Sequence, residues 1–416
     1  MLGALLEKLG GLLPKNFIIS SFFPILIFAF LNSVMLYLFT ESFRRGFDMY
    51  LALDAGRQTL YGFTILIGIA FVAYIFSTLN LFLREMLEGR HLFGWLKKRM
   101  VVEQQGKLDA LEDRLKKSEK EAFLFKRDSD GWIKRLEEAY ALGNKQKVKN
   151  EYSALEPVSI EIKRLKVIRT RNQLIGFSEL RSVVEALEVE LKKYPTAKGN
   201  SEFNDRQNRQ QLDADHTSLR LLIYYARGVA ENEYIEAFNE REFNYSRYKV
   251  NATSMGNIAE SVRSYARSRY EINLDSIWSR LQKLIQTDDK FYAALTDAKT
   301  QLDFLVSLFW LTALFTVTWL SVLFYLKVSW LAFVLVGVTG AALVAVWYNI
   351  AVQNYLAFAD TLRTSIDLFR FDLLNALHCH LPANSEDECR TWARLNQLIG
   401  YGQKRERIEY THEGKS

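Results

Sequence analysis

The chain has 416 residues, a formal net charge of +6, and a composition that is 49% hydrophobic and 25% charged. That average conceals a partition that argues against an ordinary water-soluble globule: the stretches 17–39, 60–83, 304–326 and 329–350 contain no Asp, Glu, Lys, Arg or His. The remaining sequence mixes both signs of charge, which excludes the one-signed basic face of a nucleic-acid binder.

In chain order, residues 1–16 predict a short amphipathic helix with Leu2, Leu5, Leu6, Leu9, Leu12 and Leu13 on one side, suited to a membrane interface. The stretch 17–39 predicts a transmembrane helix, because about 20 apolar residues cross a hydrocarbon core of about 30 Å. Its length exceeds a signal-peptide core and no small-residue cleavage site follows, so the span is expected to be retained. Pro24 predicts a kink. Residues 40–59 read as a loop holding Arg44, Arg45 and Arg57 with Glu41, Asp48 and Asp54, and 60–83 predicts the second span of a first hairpin, 17–83.

Arg84, Arg90, Lys97, Lys98 and Arg99 follow that span, whereas Lys327 is alone between the last two stretches. Because Lys and Arg collect on the cytoplasmic side, both termini and the middle of the chain are expected there. Residues 84–303 hold 40 Lys and Arg against 35 Asp and Glu, the balance of a solvated helical domain. Helix formers dominate 84–127, and Leu108, Leu111 and Leu115 make a seam too short for a long coiled coil. Asp128-Ser129-Asp130-Gly131 predicts a turn ahead of a helix over 132–142, and Glu156-Pro157 a further break. Leu180, Val184, Leu187 and Leu191 show helical spacing that stops at Pro195. Residues 195–216, rich in Gly, Asn, Gln, Asp and Ser, predict a polar loop, and 219–244 an amphipathic helix.

The stretches 304–326 and 329–350 predict a second hairpin, 304–350. Gly337, Gly340, Ala341 and Ala345 give span four a small-residue face for helix packing, within the chain or between subunits. In the tail, 351–416, no breaker interrupts 351–377, so span four is expected to continue as one helix, with Pro382 beyond its end. Ser385 and Glu388 form a capping box for a last short helix closing at Gly400. The fold class is therefore all-α: a polytopic membrane protein with four transmembrane helices in two hairpins flanking a large helical cytoplasmic domain.

Motifs for chemistry are sparse. Neither a phosphate-cradling Gly-rich loop nor an H-E-x-x-H helix occurs, so no enzyme activity, catalytic residue or cofactor is assigned. His378-Cys379-His380 with Cys389 offers zinc-type ligands, but adjacent side chains diverge, and no metal is assigned. The two cysteines, placed in the cytoplasm, are expected to remain thiols. Asp128 to Gly131 fails calcium-loop spacing, which would put Lys126 at the first position. Asn244-Tyr245-Ser246 and Asn251-Ala252-Thr253 match glycosylation acceptors that a cytoplasmic position leaves unused. The spans carry uncharged polar residues: Asn32, Asn80, Ser307, Thr318 and Ser321. These admit two readings, a wet path through a pore or bonds between helices.

Thr253-x-x-Gly256-Asn257, then Arg269-Tyr270-Glu271-Ile272, then Trp278-Ser279-Arg280-Leu281, just ahead of span three, resembles a family of uncharacterised bacterial integral membrane proteins. That family's pattern runs P-T-x-x-G-N, R-Y-G-I-D and W-P-R-L, and the sequence departs from it at Ala252, Glu271, Asn273 and Ser279. The resemblance implies a bacterial inner (plasma) membrane protein and brings no activity with it. Thr253, Gly256, Asn257, Arg269, Tyr270, Trp278 and Arg280 are expected to couple the domain to the membrane part. The expected function is an oligomeric pore or membrane-perturbing protein gated by the cytoplasmic domain, with a non-conducting membrane-anchored scaffold or adaptor that binds cytoplasmic proteins as the alternative. The expected partners are the lipid bilayer, further copies of the chain and a cytoplasmic protein, with no nucleic acid.

Overall fold

The computed structural model describes residues 14–145, 163–164, 166, 176–192, 202–328 and 330–401, and the regular structure among them is helical. Four helices are long and apolar enough to cross a membrane: α1 (Lys15–Phe39), α3 (Ala55–Leu87), α9 (Asp289–Tyr325) and α10 (Trp330–Ala376). Each carries most or all of one charge-free stretch. The expected interfacial helix of residues 1–16 falls almost wholly outside the described residues.

Just ahead of Pro24, where a kink is expected, the helix makes one π-helical turn, Ile18–Phe22. Proline has no N–H to offer the carbonyl four residues back, here Ser20. Ser307 Oγ of α9 reaches that carbonyl instead, at 2.8 Å. The connection between α1 and α3 differs from the expected loop by containing helix α2 (Glu41–Leu51). Thr40 is extended (φ −129°, ψ 109°) and separates α1 from α2, and Arg44 folds back to donate to the Tyr37 and Leu38 carbonyls at 3.3 and 3.2 Å. Those carbonyls lack helical partners, and a cation at a helix C-terminus satisfies them. Asp54 caps α3 by accepting from the Arg57 N–H at 3.1 Å.

Helices α4 (Gly94–Lys145), α5 (Phe177–Lys192) and α6 (Glu202–Asn244) follow, then α7 (Ser254–Tyr270) and α8 (Leu274–Ile285), which lead into α9. The turn expected at 128–131 is absent, because α4 runs through it. Gly131 costs about 1 kcal/mol in a helix relative to Ala. Against that cost, Phe125 and Trp132 both pack on Phe177, ring centres 5.2 and 5.3 Å away, and Arg227 donates to Ser129 Oγ and Asp130. The polar loop expected over 195–216 is likewise replaced by helix from Glu202 onward. Its Glu, Gln and Arg residues are strong helix formers, which the Asn and Asp content masked.

A tight turn with Lys327 in the left-handed region (φ 52°) joins α9 to α10. The two helices pack closely, with Gly340 so near Thr316 that a Cβ would collide with it. The small-residue face of α10 thus divides: Gly337 and Gly340 turn toward α9, while Ala341 and Ala345 are exposed. As expected, α10 continues unbroken for 47 residues, about 70 Å at 1.5 Å per residue. The last helix, α11 (Ser385–Tyr401), differs in its cap. Asn384 Oδ1 accepts the Asp387 N–H at 2.9 Å, and the Glu388 carboxylate goes to Arg370 instead of closing a capping box.

The chain divides into two compact units, residues 1–106 with 242–416, and residues 107–241. In the first, Met255, Ile258 and Val262 of α7, Leu281 of α8, Leu302 and Val306 of α9, Ile366 of α10 and Trp392 of α11 form one core. The apolar helices bury far less: Phe22, Ile25, Ala73 and Leu311 make a small cluster, and Phe30, Phe63, Phe71 and Trp330 point outward. In the second unit, Phe125, Trp132, Leu180, Val184, Leu219 and Ile223 make a separate core.

Candidate functional site

The charged residues that border the apolar stretches of α3 and α9 meet in one cluster around two buried carboxylates, Glu88 and Asp303. Glu88, just past α3, is 5% exposed. Tyr355 of α10 donates to its Oε1 at 2.7 Å, and Arg90 Nε lies 2.9 Å from its Oε2. Arg84 stands 3.8 Å from both Glu88 and Asp303 of α9, and Lys299 Nζ lies 3.2 Å from Asp303 Oδ2. A buried carboxylate is tolerated only when paired. Here one phenol and two guanidiniums serve Glu88, and the pairing ties α3, α9 and α10 together where their apolar stretches end.

Helix α7 starts on this cluster. Thr253 caps it, Oγ1 accepting the Gly256 N–H at 3.0 Å, and Gly256 approaches the Glu88 carbonyl so closely that any Cβ would overlap it. Gly89 completes the seat at φ 78°, a conformation that side chains disfavour, and a Cβ there would press on Thr253 and Ala252. Asn257 is buried and bonds in both directions, accepting the Asn251 N–H at 2.6 Å and donating to Gln104 at 3.1 Å. Thr253, Gly256 and Asn257 therefore seat the start of α7 on the end of α3.

A second cluster lies further along α10. Tyr265 and Tyr270 both donate to Asp367, at 2.8 and 2.7 Å. Burial, then the hydrogen bond to that carboxylate, raises both phenol pKa values above the ordinary range. Arg269 stacks over Tyr265 at 4.6 Å and Arg370 over Tyr270 at 4.5 Å, and Arg370 also donates to Glu388 at 2.7 Å. Arg363, 3% exposed, donates to the Phe243 carbonyl at 3.0 Å and Ser261 Oγ at 2.7 Å while lying 4.6 Å over the Phe243 ring. Tyr270 thus meets α10 through Asp367, Arg269 stays on α7 against Tyr265, and Trp278 packs against the unit's core. Arg280 stays exposed and, among the described residues, donates to the Ser276 carbonyl at 2.9 Å. Glu271 occupies the left-handed position after α7 (φ 59°), where the resembled pattern has Gly.

Within the apolar helices, three of the five polar residues bond across to another helix. Trp319 donates to Asn32 at 2.9 Å, and Asn32 donates to the Phe28 carbonyl at 2.7 Å. Asn80 donates to Ser21 Oγ at 3.3 Å and lies 3.3 Å from Ser307 Oγ. Thr318 and Ser321 are exposed, and Ser321 bonds its own helix at the Val317 carbonyl. In the tail, Cys379 and Cys389 are free thiols. Among the described residues no group of three or more His, Cys, Asp and Glu side chains converges as a metal site would require.

No protein-family model, no curated protein and no solved structure matches the chain. The site therefore rests on its own geometry. Sequence reasoning gave no site role to Arg84, Glu88, Asp303, Tyr355, Arg363 or Asp367. A signal was available in α10, where Asp360, Arg363, Asp367 and Arg370 recur at intervals of three and four, one face of a helix. Nothing local marks Glu88 as buried, because the phenol that covers it, Tyr355, lies 267 residues away in sequence.

Proposed function

We propose that the chain is a non-conducting, membrane-anchored scaffold. In this reading two hairpins, α1 with α3 and α9 with α10, hold a charged helical body at the cytoplasmic face of a bacterial inner membrane. There the body engages protein partners, and the chain works as a homo-oligomer. One observation carries the choice over a pore: Asn32, Asn80 and Ser307 spend their polar groups on neighbours in the same chain. A pore lining needs such groups turned toward water. Buried polar pairs between apolar helices fix their register instead.

The Glu88 cluster fits the same role, since it holds three apolar helices and α7 at one set of positions. Exposed Thr318 and Ser321 are the residues that favour a pore formed between subunits. The test is planar-bilayer recording on purified protein whose oligomeric mass is known. The scaffold reading expects no unitary current from any assembly, and currents whose size changes in a Thr318→Val variant would contradict it.

A further inference from the structure

From Gly89 to Val102 the chain carries five basic side chains and no acid: Arg90, His91, Lys97, Lys98 and Arg99. Arg90 and His91 are taken up by Glu85 and Glu88. Lys97, Lys98 and Arg99, at the start of α4, have no ion pair among the described residues. Beside them large apolar side chains stand uncovered, with Phe93 76% and Trp95 71% exposed. Unpaired cations next to exposed aromatic rings suit one environment above others, the headgroup layer of an anionic membrane. There the rings sit among carbonyls and glycerol while the cations meet phosphates.

A separate observation sets the depth. The His91 ring lies 5.1 Å from the ring of Phe82, an exposed residue in the last charge-free turn of α3. The elbow between α3 and α4 therefore folds back to the level where an apolar helix leaves hydrocarbon, and its surface is continuous with the outward face of α3. We propose that residues 91–102 form a binding surface for anionic phospholipid headgroups, with Lys97, Lys98 and Arg99 as the phosphate-facing cations and Trp95 as the interfacial ring. The proposal rests on α3 being a membrane span. It adds a leaflet-specific lipid contact to the scaffold reading.

The test is native mass spectrometry of the full chain in mild detergent with equimolar phosphatidylglycerol and phosphatidylcholine. Each cation near an anionic surface is worth roughly a five-fold preference. Wild-type protein should retain phosphatidylglycerol preferentially, and K97Q/K98Q/R99Q should lower the ratio of the two lipids by roughly ten-fold or more. A control, K116Q/K117Q/K120Q, removes as much charge from the exposed face of α4 beyond the elbow and should leave the ratio unchanged. Equal melting temperatures would show that both variants fold. An unchanged ratio in the first variant, or an equal fall in both, overturns the proposal. Release of the wild-type chain from native membranes by alkaline carbonate would overturn the span reading, and the proposal with it.

Discussion

Glu271 holds a backbone conformation that suits glycine, with φ 59° and ψ 24° at the end of α7. The left-handed region costs an L-residue roughly 1–2 kcal/mol, part of which a glycine would lose again to its freer unfolded chain. Glu271→Gly should therefore raise stability by about 1 kcal/mol in a detergent unfolding titration. Gly256 is the opposite case, since a Cβ there overlaps the Glu88 carbonyl, which is backbone and cannot turn aside. Gly256→Ala should cost about 1–3 kcal/mol, the usual penalty for overpacking. Tyr265 and Tyr270 give a pH dependence. Folding raises both pKa values above the ordinary value of about 10, so the folded chain keeps protons that the unfolded chain releases. Their contribution is complete below pH 10 and is lost as pH rises toward the folded values. Unfolding followed between pH 9 and pH 11 should show a decline that is reduced in a Tyr265→Phe/Tyr270→Phe variant. Sequence alone singles out Tyr270 and Gly256 but not their partners, Asp367 and the Glu88 carbonyl. Those pairings depend on packing between distant segments.

At the scale of elements, the four apolar helices were legible because a charge-free run of about 20 residues is rare in the core of a water-soluble protein. The unbroken course of α10 was legible too, from the lack of any breaker across 351–377. What misled was local chemistry overruled by tertiary contacts. The Asp128 to Gly131 segment looks like a turn, yet Phe125 and Trp132 on either side share the Phe177 ring and α4 stays helical between them. The capping-box pattern puts the cap of α11 one residue late, because Glu388 has a stronger partner in Arg370 than in its own backbone. This makes a direct comparison available. Asn384→Ala should destabilise by about 1 kcal/mol, as the loss of a helix cap does, whereas Ser385→Ala should change little. Thermal unfolding of the two variants decides between the caps.

For the whole molecule, the distribution of burial is the informative feature. The apolar helices bury few side chains while Phe30, Phe63, Phe71 and Trp330 face outward, an arrangement that needs lipid to cover it. Asn32, Asn80 and Ser307 bond across to neighbouring helices, and that inward pairing is the central claim of the scaffold reading. Single cysteines at Asn80, Ser307, Thr318 and Ser321, exposed in proteoliposomes to a membrane-impermeant thiol reagent, test it most directly, with labelling counted by mass above the two native thiols. The account predicts no added label at any of the four positions, because two are sealed inside the chain and two face hydrocarbon. Labelling at these positions comparable to that of a cysteine in the loop at Lys327 would mean that water reaches them, and would contradict the account in favour of a pore.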